Sequence, residues 1–577
     1  MNRSPVVDVA DVPGWDSAAD VVVAGSGGSG LVAAVMAADS GSRVVVLEKG
    51  SQTGGTTRKS GGGVWVPNNH HMQALGLPDS RDGAVRYMAR TAHPDRYDAA
   101  SATLGLSAND YDVLCALYDE GGRAFETLDD IGALSMLSLP DYPNYYCTIA
   151  EDVHKFGRTL GPRYRDGGAA EGPEMIRQLS EALEQRAGAI HVDHRLISAV
   201  VDGERIVGVL VDNPGGERWI HAARAVVLAT GGFTHNPALR RTHLGEHVYG
   251  GCAAITNEGD AIAIVNALGA ELVNMGSAWN VPIVLERALS GDPGFKSTFN
   301  IVGDRVLCVN RFGDRSMNEK TVYNEATAPM VHFDAELAEY PNAVMIAVWD
   351  QANYDEFRGS PYDGGLMPAV GADDSHVIVV NELHQLAAAA DARLERLAWA
   401  TAGIRLAPDF SSHLAASVAR FNQLAAGGCD TDFGRGGSQI ERHMHRLAVN
   451  AARMATDSGM AAMVTPEGTG WAIDVEPDDP SAGNPTMAPL SPSGPYYASI
   501  LAAGTLDTKG GPQVDRHGRV LRADGSPITG LYAVGNCAGS ATGQAYWGAG
   551  GTLGPAITLA FLAGRHAATQ QAVELAL

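Results

Sequence analysis

Basic side chains are in the minority in this chain of 577 residues: 42 Lys and Arg stand against 66 Asp and Glu, a formal net charge of −24. A surface of that sign repels phosphate backbones and anionic lipid, which argues against nucleic acid as a partner. Cysteine is scarce too. The six (Cys115, Cys147, Cys252, Cys308, Cys429 and Cys537) stand singly, without a C-x-x-C pair or a C-x-x-C-H haem signal, and read as reduced packing residues. No apolar run reaches the ~18 residues that a spanning helix needs. The opening stretch, MNRSPVVDVADVPGWDSAAD, is too acidic for a secretory signal. These absences predict a cytoplasmic enzyme without a transmembrane segment, peripheral attachment to a membrane being the remaining option. Internal repeats and low-complexity tails are also missing.

The length predicts two domains or one discontinuous domain carrying an insertion. Near the start, DVVVA (residues 20–24) has the β-branched character of a buried parallel strand. GSGGSG follows, then the helical stretch LVAAVMAADSG, and then a second strand, RVVVLEK. This βαβ unit of about thirty residues carries Gly25, Gly27, Gly28 and Gly30 in its first turn, where backbone must turn tightly, approach a pyrophosphate and pack helix on strand. Glu48, about twenty residues on, is placed to accept hydrogen bonds from a ribose, with Lys49 beside it. Ala/Leu/Arg-rich helices fill a middle region from about 280 to 485. The Pro- and Ser-rich stretch DVEPDDPSAGNPTMAPLSPSGP then reads as a return linker, and strand-and-turn character resumes before a final helix.

A second glycine loop identifies the dinucleotide. Gly54, Gly55, Thr56, Ser60, Gly61 and Gly62 follow the acidic residue, and a nicotinamide nucleotide has no use for such extra backbone, whereas a flavin lies along it. LATGGF (Ala229, Thr230, Gly231) and GLYAVGN (Gly535, Asn536) are further glycine-ended strands of the same kind. FAD is the predicted cofactor. No histidine occurs between Ser51 and Asn69, so the flavin is expected to be non-covalent. The pair His70 and His71 reads as part of a loop and not as a metal site, and no metal is expected.

These stretches, together with TNEGDAIAIVNALGAEL, RSMNEKTVY, LDTKGG and AYWGAGGTLGPA, resemble the 3-ketosteroid Δ1-dehydrogenases of the fumarate reductase-like flavoproteins, in the same order along nearly the whole chain. The resemblance implies an α/β fold: a Rossmann-like FAD-binding domain built from both chain ends (1–279 and 486–577), with an α+β catalytic domain (280–485) inserted. It also implies flavin contacts at Asn257, Asp260, Gly551, Thr552 and Leu553, and a helix beginning near Thr552 whose positive end faces the flavin.

The same resemblance assigns the chemistry. Tyr546 and the backbone N–H of Gly550 would hold a ketone oxygen, and Tyr323 would remove the α-proton. A phenol with its usual pKa near ~10 is a weak base at neutral pH, so a second tyrosine bonded to Tyr323 is expected. In LPDYPNYYCTI the spacing favours Tyr146, with Tyr145 next and Tyr142 third. Trp547 stands where the family has proline, which predicts a bulkier pocket floor and admits a smaller cyclic ketone in place of a 3-ketosteroid. The reaction implied is 1,2-desaturation of that ketone, with an external acceptor taking the electrons. A dicarboxylate reductase would need a histidine that GTLDTKGG lacks. A flavin protein without turnover would not need the set Tyr323, Tyr546 and Gly550.

Overall fold

A computed structural model describes residues 3–140, 142–290, 301–360, 365–454 and 483–574. The β-branched run near the start forms the strand Ser17–Ala24, which pairs in parallel with Val44–Leu47 on one side and Gly216–Leu228 on the other. They belong to a nine-stranded sheet. The C-terminal strand Pro527–Ala533 enters this sheet beside Gly216–Leu228, again in parallel, so the sheet is assembled from both chain ends as expected. Its inner strands are buried on both faces, which explains their near-continuous Val, Ile and Leu content.

One face is covered by the helices Gly28–Asp39, Gly172–Gln185 and Leu553–Ala568. The first buries eleven of its twelve residues because it packs against the sheet, against Gly172–Gln185 and against Leu553–Ala568. An all-round apolar composition suits a helix with no solvent face.

The second sheet has six strands, and its spine is Tyr496–Thr508. Val248–Gly251, Ala278–Val284, Met345–Asp350 and Ile378–Val380 all pair with that strand, and Val306–Val309 extends the sheet from Met345–Asp350. This sheet therefore draws strands from before residue 280 and from after residue 485. The reason is in the spine: a 13-residue strand buried over nearly its whole length offers ladder partners along both edges. The expected return linker is described only from residue 483, its earlier part lying outside the described residues. Its last two residues lead into the spine. The middle helices form as Leu386–Arg396 and Phe410–Ala426. His70 and His71 differ from expectation: they open the short helix His70–Ala74, because the Asn69 side chain accepts from the N–H of Met72 and caps it.

Candidate active site

A continuous cavity of about 670 Å3 runs from the first βαβ turn to the face of the second sheet. At the dinucleotide end its wall is backbone. Gly25 has φ +112, and a Cβ there would sit 2.1 Å from the carbonyl oxygen of Ala229, so both the turn and the close approach need glycine. Helix Gly28–Asp39 opens at this wall with Gly27 as its N-cap; Gly28 N donates to Thr57 Oγ1 at 3.1 Å, and the helix start faces the cavity where an anion can sit. Of the expected contacts, Gly25, Gly27, Gly28, Gly30, Glu48, Lys49, Gly55, Thr56, Ser60, Gly61 and Gly62 line the cavity, as do Ala229, Thr230, Gly231, Asn257, Asp260, Gly535, Asn536, Thr552 and Leu553.

Two expected contacts stand behind the wall. Gly54 donates its N–H to Ser26 Oγ at 2.9 Å, and Gly551 closes a turn onto the Gly548 carbonyl at 2.9 Å. Glu48 is more engaged than its motif implies: it accepts from Ser26 N at 3.0 Å, from Ser26 Oγ at 2.6 Å and from Gly50 N at 2.7 Å, organising the turn as well as facing the cavity. Lys49 is held by Glu258 and by Asp260, the latter at 2.9 Å.

Asp507 carries no role in the sequence reading although its motif, LDTKGG, is quoted there. It is buried and accepts from Gly232 N (3.0 Å), Asn257 Nδ2 (2.7 Å) and Asn536 Nδ2 (3.1 Å). Three segments that line the cavity are thereby tied to one carboxylate. An aspartate near the end of a mostly apolar run, SILAAGTLDT, is the signal that could have found it.

At the far end three tyrosines converge. Tyr323 opens the short helix Tyr323–Ala326, and its hydroxyl lies 2.9 Å from that of Tyr145. The rings of Tyr323 and Tyr145 lie 5.2 Å and 5.4 Å from that of Tyr546, and Trp279 meets Tyr546 edge-on at 5.0 Å. Thr552 Oγ1 donates to the Tyr546 hydroxyl at 3.3 Å. Gly550 has φ +86, and a Cβ on it would lie 2.3 Å from Val64 N. Its carbonyl accepts from Trp65 N and Gly554 N, which fixes this peptide against the cavity. Burial, then the neighbouring phenols, push Tyr323 well above the ordinary phenol range; Tyr145 is raised in the same way. In a pair sharing one hydrogen bond, the proton belongs to both phenols together.

Two expectations are corrected here. Tyr145, not Tyr146, pairs with Tyr323. The chain is bridged to the C-terminal turn at Asn144 and Gly548 and then turns, with Tyr145 N donating to the Trp547 carbonyl at 3.1 Å, and this turn sends the two adjacent side chains to different places. Tyr145 faces the cavity, whereas Tyr146 turns behind it and donates to Glu325 Oε1 at 2.5 Å. Trp547 does not floor the pocket either. Its carbonyl is held by Tyr87 Oη at 2.6 Å and Tyr145 N at 3.1 Å, and its fully buried ring lies against Trp65 at 5.2 Å, outside the cavity lining. The remaining substrate-side wall includes Leu139, Tyr142, Met444, Leu506 and Arg287. Among the described residues no metal-binding cluster is assembled, and no helix is long and apolar enough to cross a membrane.

A turn that tolerates only glycine, a helix start facing the cavity and a glycine-lined trough leading to a phenol cluster fit an extended dinucleotide with an aromatic head. The family of the FAD binding domain matches residues 20–553. The chain is 31% identical to 4-oxocyclohexanecarboxylate 2-dehydrogenase of Sinomonas cyclohexanicum, covering 96% of this chain and 93% of that one. It is 30% identical to 3-oxosteroid 1-dehydrogenase of Mycobacterium tuberculosis, covering 96% and 98%. Among solved structures it resembles 3-ketosteroid Δ1-dehydrogenase from Sterolibacterium denitrificans in complex with 1,4-androstadiene-3,17-dione, with a TM-score of 0.74, 26% identity, and coverage of 96% and 99%. The chain belongs to the FAD-binding flavoproteins that include the 3-oxosteroid 1-dehydrogenases, and it is an FAD-dependent oxidoreductase.

Proposed function

We propose that the protein introduces a double bond next to the carbonyl of a cyclic ketone. The observation that carries this is the meeting of Tyr323, Tyr145 and Tyr546 with Gly550 at one end of the cavity that takes FAD. Tyr323 takes the proton from the α-carbon. Tyr323 does so as the phenolate and becomes the neutral phenol, while the bond from Tyr145 holds its oxygen in place. The Tyr546 hydroxyl and the Gly550 N–H meet the ketone oxygen as it gains negative charge; donors already fixed there need no reorganisation during the step. Bound FAD supplies the acceptor for the hydride that leaves the β-carbon. The glycine-lined trough would hold that cofactor without a covalent link, with Glu48 and the first turn of Gly28–Asp39 at its nucleotide end. Proton and hydride loss together leave an α,β-unsaturated ketone, and an external acceptor takes up the two electrons.

A 3-ketosteroid is the substrate to try first, in line with the relatives that act on 3-oxosteroids. A second reading, a small cyclic keto acid, is favoured by Arg287. Arg287 lines the cavity and donates to the Gly365 carbonyl at 3.5 Å, and among the described residues it makes no ion pair within 4 Å. The Sinomonas relative is named for such a compound. The test is anaerobic mixing of the purified holoenzyme with 4-androstene-3,17-dione, 4-oxocyclohexanecarboxylate and succinate in turn. Flavin bleaching by either ketone, with the matching enone as product, is expected. Bleaching by succinate alone would overturn the tyrosine assignment.

A further inference from the structure

Behind the cavity wall lies a set of buried polar groups that the reaction as described does not use. Lys509 is fully buried and its Nζ donates to the carbonyl oxygen of Ala545 at 2.7 Å, while sitting 4.2 Å from the centre of the Trp279 ring. The N–H of Tyr546 donates to the Tyr146 hydroxyl at 3.2 Å, and that hydroxyl donates onward to Glu325. The Ala545 carbonyl and the Tyr546 N–H are the two ends of one peptide unit. That peptide is therefore gripped at its oxygen by an ammonium and at its nitrogen by a phenol backed by a carboxylate. The arrangement aligns with the peptide dipole. Neither Lys509, Tyr146 nor Glu325 lines the cavity.

We infer that Lys509, Tyr146 and Glu325 are positioning residues that lock the Ala545–Tyr546 peptide, and through it aim the Tyr546 phenol at the ketone oxygen. Glu325 lies two residues after Tyr323 on the same helical turn. Its grip on Tyr146 therefore couples the oxyanion donor to the base, so that the two hydroxyls keep a fixed separation. Asn324 completes the brace. Its Nδ2 donates to Glu325 Oε1 at 2.9 Å and its Oδ1 accepts from Asn280 N at 3.1 Å, anchoring the turn to the strand that carries Trp279. Burial works against the charges on both sides: it lowers Lys509 and raises Glu325, and each opposes the shift of the other. A buried amine and carboxyl group kept at that cost, out of reach of substrate, fit a demand for geometry more than for stability.

The inference rests on the reading of Tyr546 as oxyanion donor, and its test separates the two. Lys509→Met keeps the bulk under Trp279 and removes the ammonium; Tyr146→Phe removes the phenol's relay. In the purified holoenzymes, amide hydrogen exchange of the stretch 540–552 is expected to speed up about tenfold or more in each variant, the remainder of the chain being unchanged. This readout needs no substrate. With a ketone that bleaches the wild type, kcat is expected to fall about 100-fold, as a misplacement of about 1 Å can produce. KM and flavin content should change little. The double variant should fall no further than the worse single, because both grip the same peptide. Unchanged exchange over 540–552 would overturn the clamp whatever the activity. Faster exchange with unchanged kcat on a bleaching ketone would overturn its positioning role. A wild type that bleaches with no ketone would overturn the oxyanion reading and with it this role, leaving the clamp of the peptide to stand or fall by exchange alone.

Discussion

At the scale of single residues, the account turns on which phenols share protons. Tyr145→Phe should lower the rate of flavin reduction about 10- to 100-fold, within the range of acid–base contributions. It should also move the rise of that rate with pH to lower pH, because the push that the Tyr145 phenol adds to burial is then gone. Tyr146→Phe should leave the position of that rise unchanged. Stopped-flow reduction from neutral pH toward the phenol range near ~10 distinguishes them. Tyr323, Tyr546 and Gly550 were legible in the sequence because each sits in a local motif. The choice between Tyr145 and Tyr146 was not legible: both lie in a turn whose placement is set by the bridge from Asn144 to Gly548, some four hundred residues away. Trp547 was misread for the same reason, since the direction of its side chain follows from which groups hold its carbonyl.

Lys509 makes a second residue-scale prediction. Burial lowers it from 10.5 to about 7, so the unfolded chain holds this proton across a range in which the folded chain has released it. The folded state then binds fewer protons between about pH 7 and about pH 10, and this group's contribution to stability rises with pH there. Below about pH 7 both states are protonated and the cost is complete, on the order of a few kcal/mol at ~1.4 kcal/mol per pK unit. Lys509→Met should therefore be at least as stable as the wild type at pH 7, and should lose ground to it as pH rises toward 10. Urea denaturation of both proteins at two pH values measures the difference. A Met variant that is less stable at pH 7 would assign Lys509 a stabilising role.

At the scale of elements, the site is made by ends: the start of Gly28–Asp39, the start of Leu553–Ala568, and the turn Tyr323–Ala326. Helix starts with a flanking glycine are visible in sequence, and the expected helix beginning near Thr552 does begin at Leu553 with Thr552 as its cap. Strand partnership is less visible. Nothing local in the run at 496–508 says that it is the spine of the second sheet. Asp507, near the end of that strand, follows from this placement. Asp507→Ala would leave Gly232 N, Asn257 Nδ2 and Asn536 Nδ2 without their acceptor, at about 1 to 3 kcal/mol for each buried group left unpaired. Purified Asp507→Ala should hold far less flavin than the wild type, read from the ratio of absorbance at the flavin band to that of protein. A full flavin complement would show that the three segments keep their places without it.

At the scale of the whole molecule, one sheet built from both chain ends presents a glycine trough, a short helix and two turns beside a second sheet present phenols, and a continuous cavity joins them. The doubly wound sheet was legible because its strand, turn and helix follow one another within about thirty residues. The second sheet collects strands from positions 248 to 508, and such long-range pairing leaves only a weak local trace. The central claim is that a cyclic ketone loses its α-proton to Tyr323 at the junction of the two. Anaerobic stopped-flow reduction of the wild type and Tyr323→Phe, both loaded with FAD and mixed with the same ketone, tests it most directly. The account predicts that the wild type bleaches and yields the enone, whereas Tyr323→Phe keeps its flavin and bleaches at least about 1000-fold more slowly, toward the upper end of what a general base contributes. Reduction of Tyr323→Phe at the wild-type rate would contradict it.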